Sequence, residues 1–85
     1  MYTIEYSKDI EKDLSKLPKA DVKKIVAKID RLSKNPRPSG VEPLQGRLKG
    51  LCRIRSGNYR IVYQIIDDRI MVLVVRISHR REVYR

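Results

Sequence analysis

Alternation at the start of the chain sets the first element. Over residues 2–6, Tyr2, Ile4 and Tyr6 share one parity and Thr3 and Glu5 the other, the period-2 pattern of a short strand. The period then changes. Ile10, Leu14 and Leu17 fall at i, i+4 and i+7 and make one apolar stripe along a helix. Ser7 precedes the stripe as a candidate cap, and Asp9 and Glu11 occupy the first turn, where the helix dipole favours acids. Pro18 interrupts the pattern. Beyond it, Val22, Ile25, Val26, Ile29 and Leu32 keep helical spacing from about Lys19 to Ser33. The opposite face carries Lys23, Lys24, Lys28 and Arg31, charges that ordinarily serve as a solvated surface. The break at Pro18 predicts two helices folded back as a hairpin.

"NPRPSG", Asn35 to Gly40, ends the second helix, and Val41 to Gly50 has little periodicity and reads as a loop. Leu51 to Arg55 alternates, Gly57-Asn58 is a two-residue hairpin signal, and Tyr59 to Ile66 is a strand rich in Ile, Val and Tyr. "DDR", Asp67 to Arg69, is a second turn. Ile70 to Ile77 is apolar on both parities, as in a central strand covered on both faces. The order predicts an α+β fold, β-α-α-β-β-β, an antiparallel sheet with a helical hairpin packed on one face. One domain over residues 1–85 is the natural reading, because a chain of 85 residues buries only about 60–65% of its surface and builds one modest core.

The hairpin signal fixes a register. A tight turn at Gly57-Asn58 pairs Ser56 with Tyr59, Arg55 with Arg60, Ile54 with Ile61, Arg53 with Val62 and Cys52 with Tyr63. One face then holds Cys52, Ile54, Tyr59, Ile61, Tyr63 and Ile65, which suits packing under the helices. The other gathers Arg53, Arg55 and Arg60 beside Val62 and Gln64. Like charges opposite each other on a sheet cost stability, so this face either gives stability away or awaits an anion. Arginine suits phosphate because its planar fork donates two parallel hydrogen bonds. The plain alternative is an exposed sheet face decorated with arginines. The second turn leaves the parity of the last strand open, and with it the side on which His79 and the terminal "HRREVY" fall.

Composition sharpens this picture. The net charge of +10 attracts polyanions, whether RNA, DNA, an acidic protein or an anionic membrane. A lone cysteine, Cys52, forms no internal disulfide, the ligands of a zinc site are lacking, and no metal or other cofactor is expected. The first residues lack a signal peptide's basic start and apolar stretch, and no apolar run approaches the ~20 residues that span a bilayer. A cytoplasmic protein is expected.

The stretch from "PLQG" through "RIRSGNYRIVYQI" to the terminal "HRREVY", together with the N-terminal "YSKDIEKDLSKLP", resembles the RelE family of toxins from RelE/ParE-type toxin–antitoxin systems, over essentially the whole chain. The resemblance implies a small endoribonuclease that enters the ribosomal A site and cuts mRNA without a metal. The 2′-hydroxyl attacks the adjacent phosphate, leaving a 2′,3′-cyclic phosphate and a 5′-hydroxyl. It also implies an acidic RelB-like antitoxin that wraps the toxin in a hetero-oligomer. By the same resemblance Arg60 stabilises charge on the phosphorane, Arg80 protonates the leaving 5′-oxygen, and Tyr84 stacks on an mRNA base. Arg53 matches a lysine thought to act as base. Arginine does not give up its proton, and Leu51 stands where some members carry a second lysine, so the base is open. His79, the one side chain whose ordinary pKa suits proton transfer near neutrality, is a candidate acid or base, with plain surface exposure the alternative. Arg55, Arg81, Arg47 and Lys49 are expected to hold RNA. Competing expectations are a ParE-like inhibitor of DNA gyrase and a non-catalytic nucleic-acid-binding module.

Overall fold

In the computed structural model, which describes residues 1–79, the first strand β1 spans Thr3–Tyr6 and the two helices are α1 (Lys8–Ser15) and α2 (Lys19–Leu32). A two-residue strand β2 (Glu42–Pro43) and a 3-10 turn (Gly46–Leu48) lead into β3 (Leu51–Ser56), β4 (Tyr59–Ile66) and β5 (Met71–His79). The sheet order is β1-β5-β4-β3-β2. Every pairing is antiparallel except the outer one, where β1 runs parallel to β5 from Thr3↔Met71 to Tyr6↔Val74. The apolar last strand is therefore central, as its composition requires.

Strand β2 lies in the segment that reads as a loop. Two residues, one of them proline, carry no periodicity, and only pairing with β3 makes them a strand, through Glu42↔Arg53 and Pro43↔Cys52. The Leu44 N–H donates to the Leu51 carbonyl at 2.9 Å and extends the contact. Proline is tolerated there because an edge strand needs no donor on its outer side.

The helices bury one stripe each against the sheet. Ile10 of α1 and Ile25, Ile29 and Leu32 of α2 meet Ile54, Ile61, Tyr63, Val72, Val74 and Ile77, all at most 4% exposed. Cys52, Tyr59 and Ile65 pack partly buried against the same cluster, on the face that the hairpin register assigns to them. The buried Tyr63 hydroxyl donates to the Pro36 carbonyl at 2.7 Å and anchors the Pro/Gly segment that follows α2.

Ser7 sits at the N-cap of α1 but makes no side-chain cap. Its hydroxyl donates instead to the Val75 carbonyl at 3.1 Å, and the Asp13 carboxylate accepts from the Ile77 N–H at 3.1 Å. Strand β1 stops at Val74, so β5 continues past its neighbour with unpaired backbone groups. Ser7 and Asp13 satisfy two of them, which outweighs a local cap.

Strand β5 contains one extra residue. Val62 pairs with Arg76 and Tyr63 with Val74, leaving Val75 as a bulge. The turn before β5 ends at Ile70, which holds φ at 51°, an uncommon conformation for a β-branched residue. Beside that turn, Asp67 accepts from the Tyr2 hydroxyl at 2.6 Å and from both terminal nitrogens of Arg37 at 2.7 and 3.3 Å. This ties the first strand, the Pro/Gly segment and the β4–β5 turn together.

Candidate nucleic-acid site

The hairpin between β3 and β4 builds the site. Gly57 alone of the two turn residues takes positive φ, 59°, as the first central position of a type II′ turn demands. The resulting register is the one read from sequence: Ser56↔Tyr59, Arg55↔Arg60, Ile54↔Ile61, Arg53↔Val62 and Cys52↔Tyr63. Directly opposed residues share a face, so Arg53, Arg55 and Arg60 stand together on the side away from the core.

Two rows cross this face. Arg55, Arg60 and Ser78 form one, nearest the hairpin tip; Glu42, Arg53, Val62 and Arg76 form the other. Val62 and Ser78 are nearly fully buried, at 5% and 3% exposure, so this face is more than a solvated surface. Arg55 is exposed, while Arg53 and Arg60 are half-buried, and the Nε–H group of each is shielded from solvent with no acceptor. Two desolvated cationic donors without partners cost stability unless an anion supplies the acceptor.

One carboxylate already stands at the margin. Glu42 Oε2 accepts from Arg53 Nη2 at 2.8 Å. That hydrogen bond and the Arg53 charge, with smaller help from Arg55 and Arg60, hold the Glu42 carboxyl below the usual glutamate range. Neither Glu42 nor Arg76 is a residue that sequence reasoning singles out. Glu42 joins only through β2, which has no pattern of its own, and Arg76 reaches this face only through the bulge. Arg76 is exposed and also borders a cleft lined by Asp9, Lys12 and Asp13 of α1.

His79 lies on the other face. It pairs with Tyr59, and the two rings meet edge to face, 5.2 Å between centroids and 89° between planes. The bulge at Val75 is the cause, because it sets the parity of Arg76 to His79. The structure thus brings Arg53, Arg55 and Arg60 together and does not bring His79 to them. Arg47 and Lys49 are exposed in the segment leading into β3, at the end of that strand remote from the hairpin tip. Arg80, Arg81 and Tyr84 lie outside the described residues. Among the described residues, no three His, Cys, Asp or Glu side chains gather to hold a metal ion, and no helix is long and apolar enough to cross a membrane.

Comparison with known proteins agrees with this architecture. Residues 4–84 match the family described as the ParE toxin of the type II toxin–antitoxin system parDE. The chain is 34% identical to toxin RelG of Mycobacterium tuberculosis, over 99% of this chain and 97% of that protein. It is 27% identical to the mRNA interferase toxin RelE of Escherichia coli, over 98% and 90% respectively. Its fold superposes on a chain of the toxin–antitoxin complex RelBE2 from Mycobacterium tuberculosis with a TM-score of 0.85, at 32% identity, covering 93% of this chain and 98% of that one.

Proposed function

Because the chain belongs to the ParE/RelE family of toxins from type II toxin–antitoxin systems, we propose that it is an endoribonuclease that cuts mRNA in the ribosomal A site and so stops translation. The observation that carries this reading is the pair of shielded, unpartnered Nε–H donors of Arg53 and Arg60 beside Arg55 on one sheet face. A phosphodiester supplies the acceptors they lack. Further support comes from a relative named an mRNA interferase.

The reaction assigned to this face is a transesterification. The mRNA 2′-oxygen loses its proton and bonds to the adjacent phosphorus, while the bond from phosphorus to the 5′-oxygen breaks and that oxygen takes up a proton. Negative charge grows on the phosphorane oxygens, and Arg53, Arg55 and Arg60 are the donors fixed in place to meet it. Glu42 is the proton acceptor on this face, whereas His79 stands on the other. Its carboxyl is a weak base while Arg53 holds it. A phosphate arriving at Arg53 shares that guanidinium and adds a like charge nearby, and both changes raise the basicity of Glu42. The family resemblance assigns Arg80 to the leaving 5′-oxygen, whose charge its guanidinium stabilises while solvent supplies the proton, and Tyr84 to stacking on a base; Arg81, Arg47 and Lys49 hold flanking phosphates. No metal enters this scheme. The partners are the ribosome, its mRNA and an acidic RelB-like antitoxin that neutralises the +10 charge in a hetero-oligomer, in the cytoplasm.

The description of the matching family as a ParE toxin favours a second reading, inhibition of DNA gyrase. Mapping mRNA 5′ ends after adding the protein to translating ribosomes decides between them. Codon-phased cuts at the A site support the nuclease; intact mRNA together with blocked supercoiling supports the gyrase inhibitor. Nucleic-acid binding with neither effect leaves a non-catalytic binding module.

A further inference from the structure

Three strands reach the hairpin tip together. Arg55, Arg60 and Ser78 end one face of the sheet there, and their chain neighbours Ser56, Tyr59 and His79 end the other. The second of these rows opens into a cleft of about 300 Å³ between the tip and the start of α2, where Asp21, Lys24, Asn58, Tyr59 and His79 line a mainly polar wall. The Tyr59 hydroxyl donates to Asp21 Oδ2 at 2.8 Å, which fixes the carboxylate and leaves Oδ1 and the second lone pair of Oδ2 to accept from something else. Lys24 follows Asp21 by three positions on α2, so a cationic donor stands one helical turn from the acceptor. Asn58 adds an amide from the tip.

A carboxylate beside an ammonium and an amide has a particular complement among RNA bases. Guanine presents two adjacent N–H donors, at N1 and N2, next to the carbonyl O6. Asp21 accepts from the first two, while Lys24 or Asn58 donates to the third. Adenine turns an acceptor toward the carboxylate, cytosine offers no ring N–H, and uracil offers one N–H where guanine offers two. The location also fits. Both faces end at the hairpin tip, and Gly57 and Asn58 of that turn line the cleft, so a chain gripped by Arg55 and Arg60 rounds the tip to bring a neighbouring base to it. We propose that this cleft is a guanine-selective base pocket adjoining the phosphate site; the assignment rests on the ribonuclease reading above and deepens it.

Titrating the full chain with GMP, CMP and inorganic phosphate, while following backbone amide resonances, tests the pocket apart from catalysis. GMP is expected to shift Asp21, Lys24 and Asn58 as well as Arg55 and Arg60, whereas CMP and phosphate shift the arginine strands alone. Lys24 and Asn58 are both exposed, so a Lys24→Ala/Asn58→Ala variant keeps the fold. Its GMP affinity is expected to fall about tenfold, to the level of CMP. If GMP and CMP act alike and only on the arginine strands, the pocket is wrong and the phosphate site survives. If none of the three probes moves Arg55 or Arg60, the ribonuclease reading itself falls, and the pocket with it.

Discussion

Arg55 and Arg60 face each other across a hydrogen-bonded ladder, an arrangement that costs a few tenths of a kcal/mol or more. Function and stability therefore pull apart at this pair. Arg60→Gln keeps the methylene stem and removes the charge. It is expected to slow mRNA cleavage by roughly 100–1,000-fold, the usual loss for one donor to a developing anion. The same change is expected to raise the melting temperature by roughly 2 °C at low ionic strength, read by circular dichroism. A cleaving variant, or a less stable one, contradicts the assignment. Glu42→Gln is expected to slow cleavage while leaving RNA affinity intact or tighter, since it removes an anion from the site. With Glu42 as base, the single-turnover rate stays flat between pH 6 and 8, because the carboxyl starts below the ordinary glutamate value of ~4.3 and a bound phosphate only brings it back toward that value. A rate that changes about tenfold across that range contradicts Glu42 as the base. The three arginines are legible in sequence because a two-residue turn leaves only one register. Glu42 is not, since its place depends on a contact eleven residues away that no local pattern encodes.

At the scale of elements, the helices and the hairpin follow from spacing and turn chemistry, and the structure keeps both. What escapes is set by tertiary pairing: the short edge strand β2, the parallel β1–β5 contact, and the use of Ser7 on a sheet edge rather than as a cap. The β4–β5 turn carries two testable features. Ile70 holds φ at 51° with its side chain more than half exposed, so little packing offsets the strain. Ile70→Gly is expected to stabilise the fold by about 1 kcal/mol in urea denaturation, and a loss of stability shows that the side chain matters more than the backbone. Asp67, beside it, is held down to about 2 by its hydrogen bonds from Arg37 and Tyr2. The depressed value means that its contribution is complete above the unfolded carboxyl's pKa of ~3.9 and is lost as pH falls toward about 2. Wild type and Asp67→Asn should therefore differ by a constant margin at neutral pH and converge in that acid window. The margin should also shrink with salt, because the cluster is exposed.

Across the whole molecule, the excess of 20 basic over 10 acidic residues makes RNA binding a matter of ion release. The logarithm of the association constant should fall linearly with the logarithm of salt concentration. Arg55→Gln and Arg60→Gln should each reduce the slope by about 0.7, while a neutral change at Gln64 leaves it alone. Charge and length suggest this much from sequence alone, but the face on which His79 falls is not written in either. That is decided by Val75. Because it is inserted without a partner, Val74 and Ile77 both point into the core despite their odd spacing. Deleting this one residue would restore an unbroken ladder and leave every later partner as it is, Arg76 opposite Val62, Ser78 opposite Arg60 and His79 opposite Tyr59. A codon lost at this spot thus straightens a kink and moves no side chain across the sheet, so this is a place where the length of the chain can drift without disturbing the chemistry on either side.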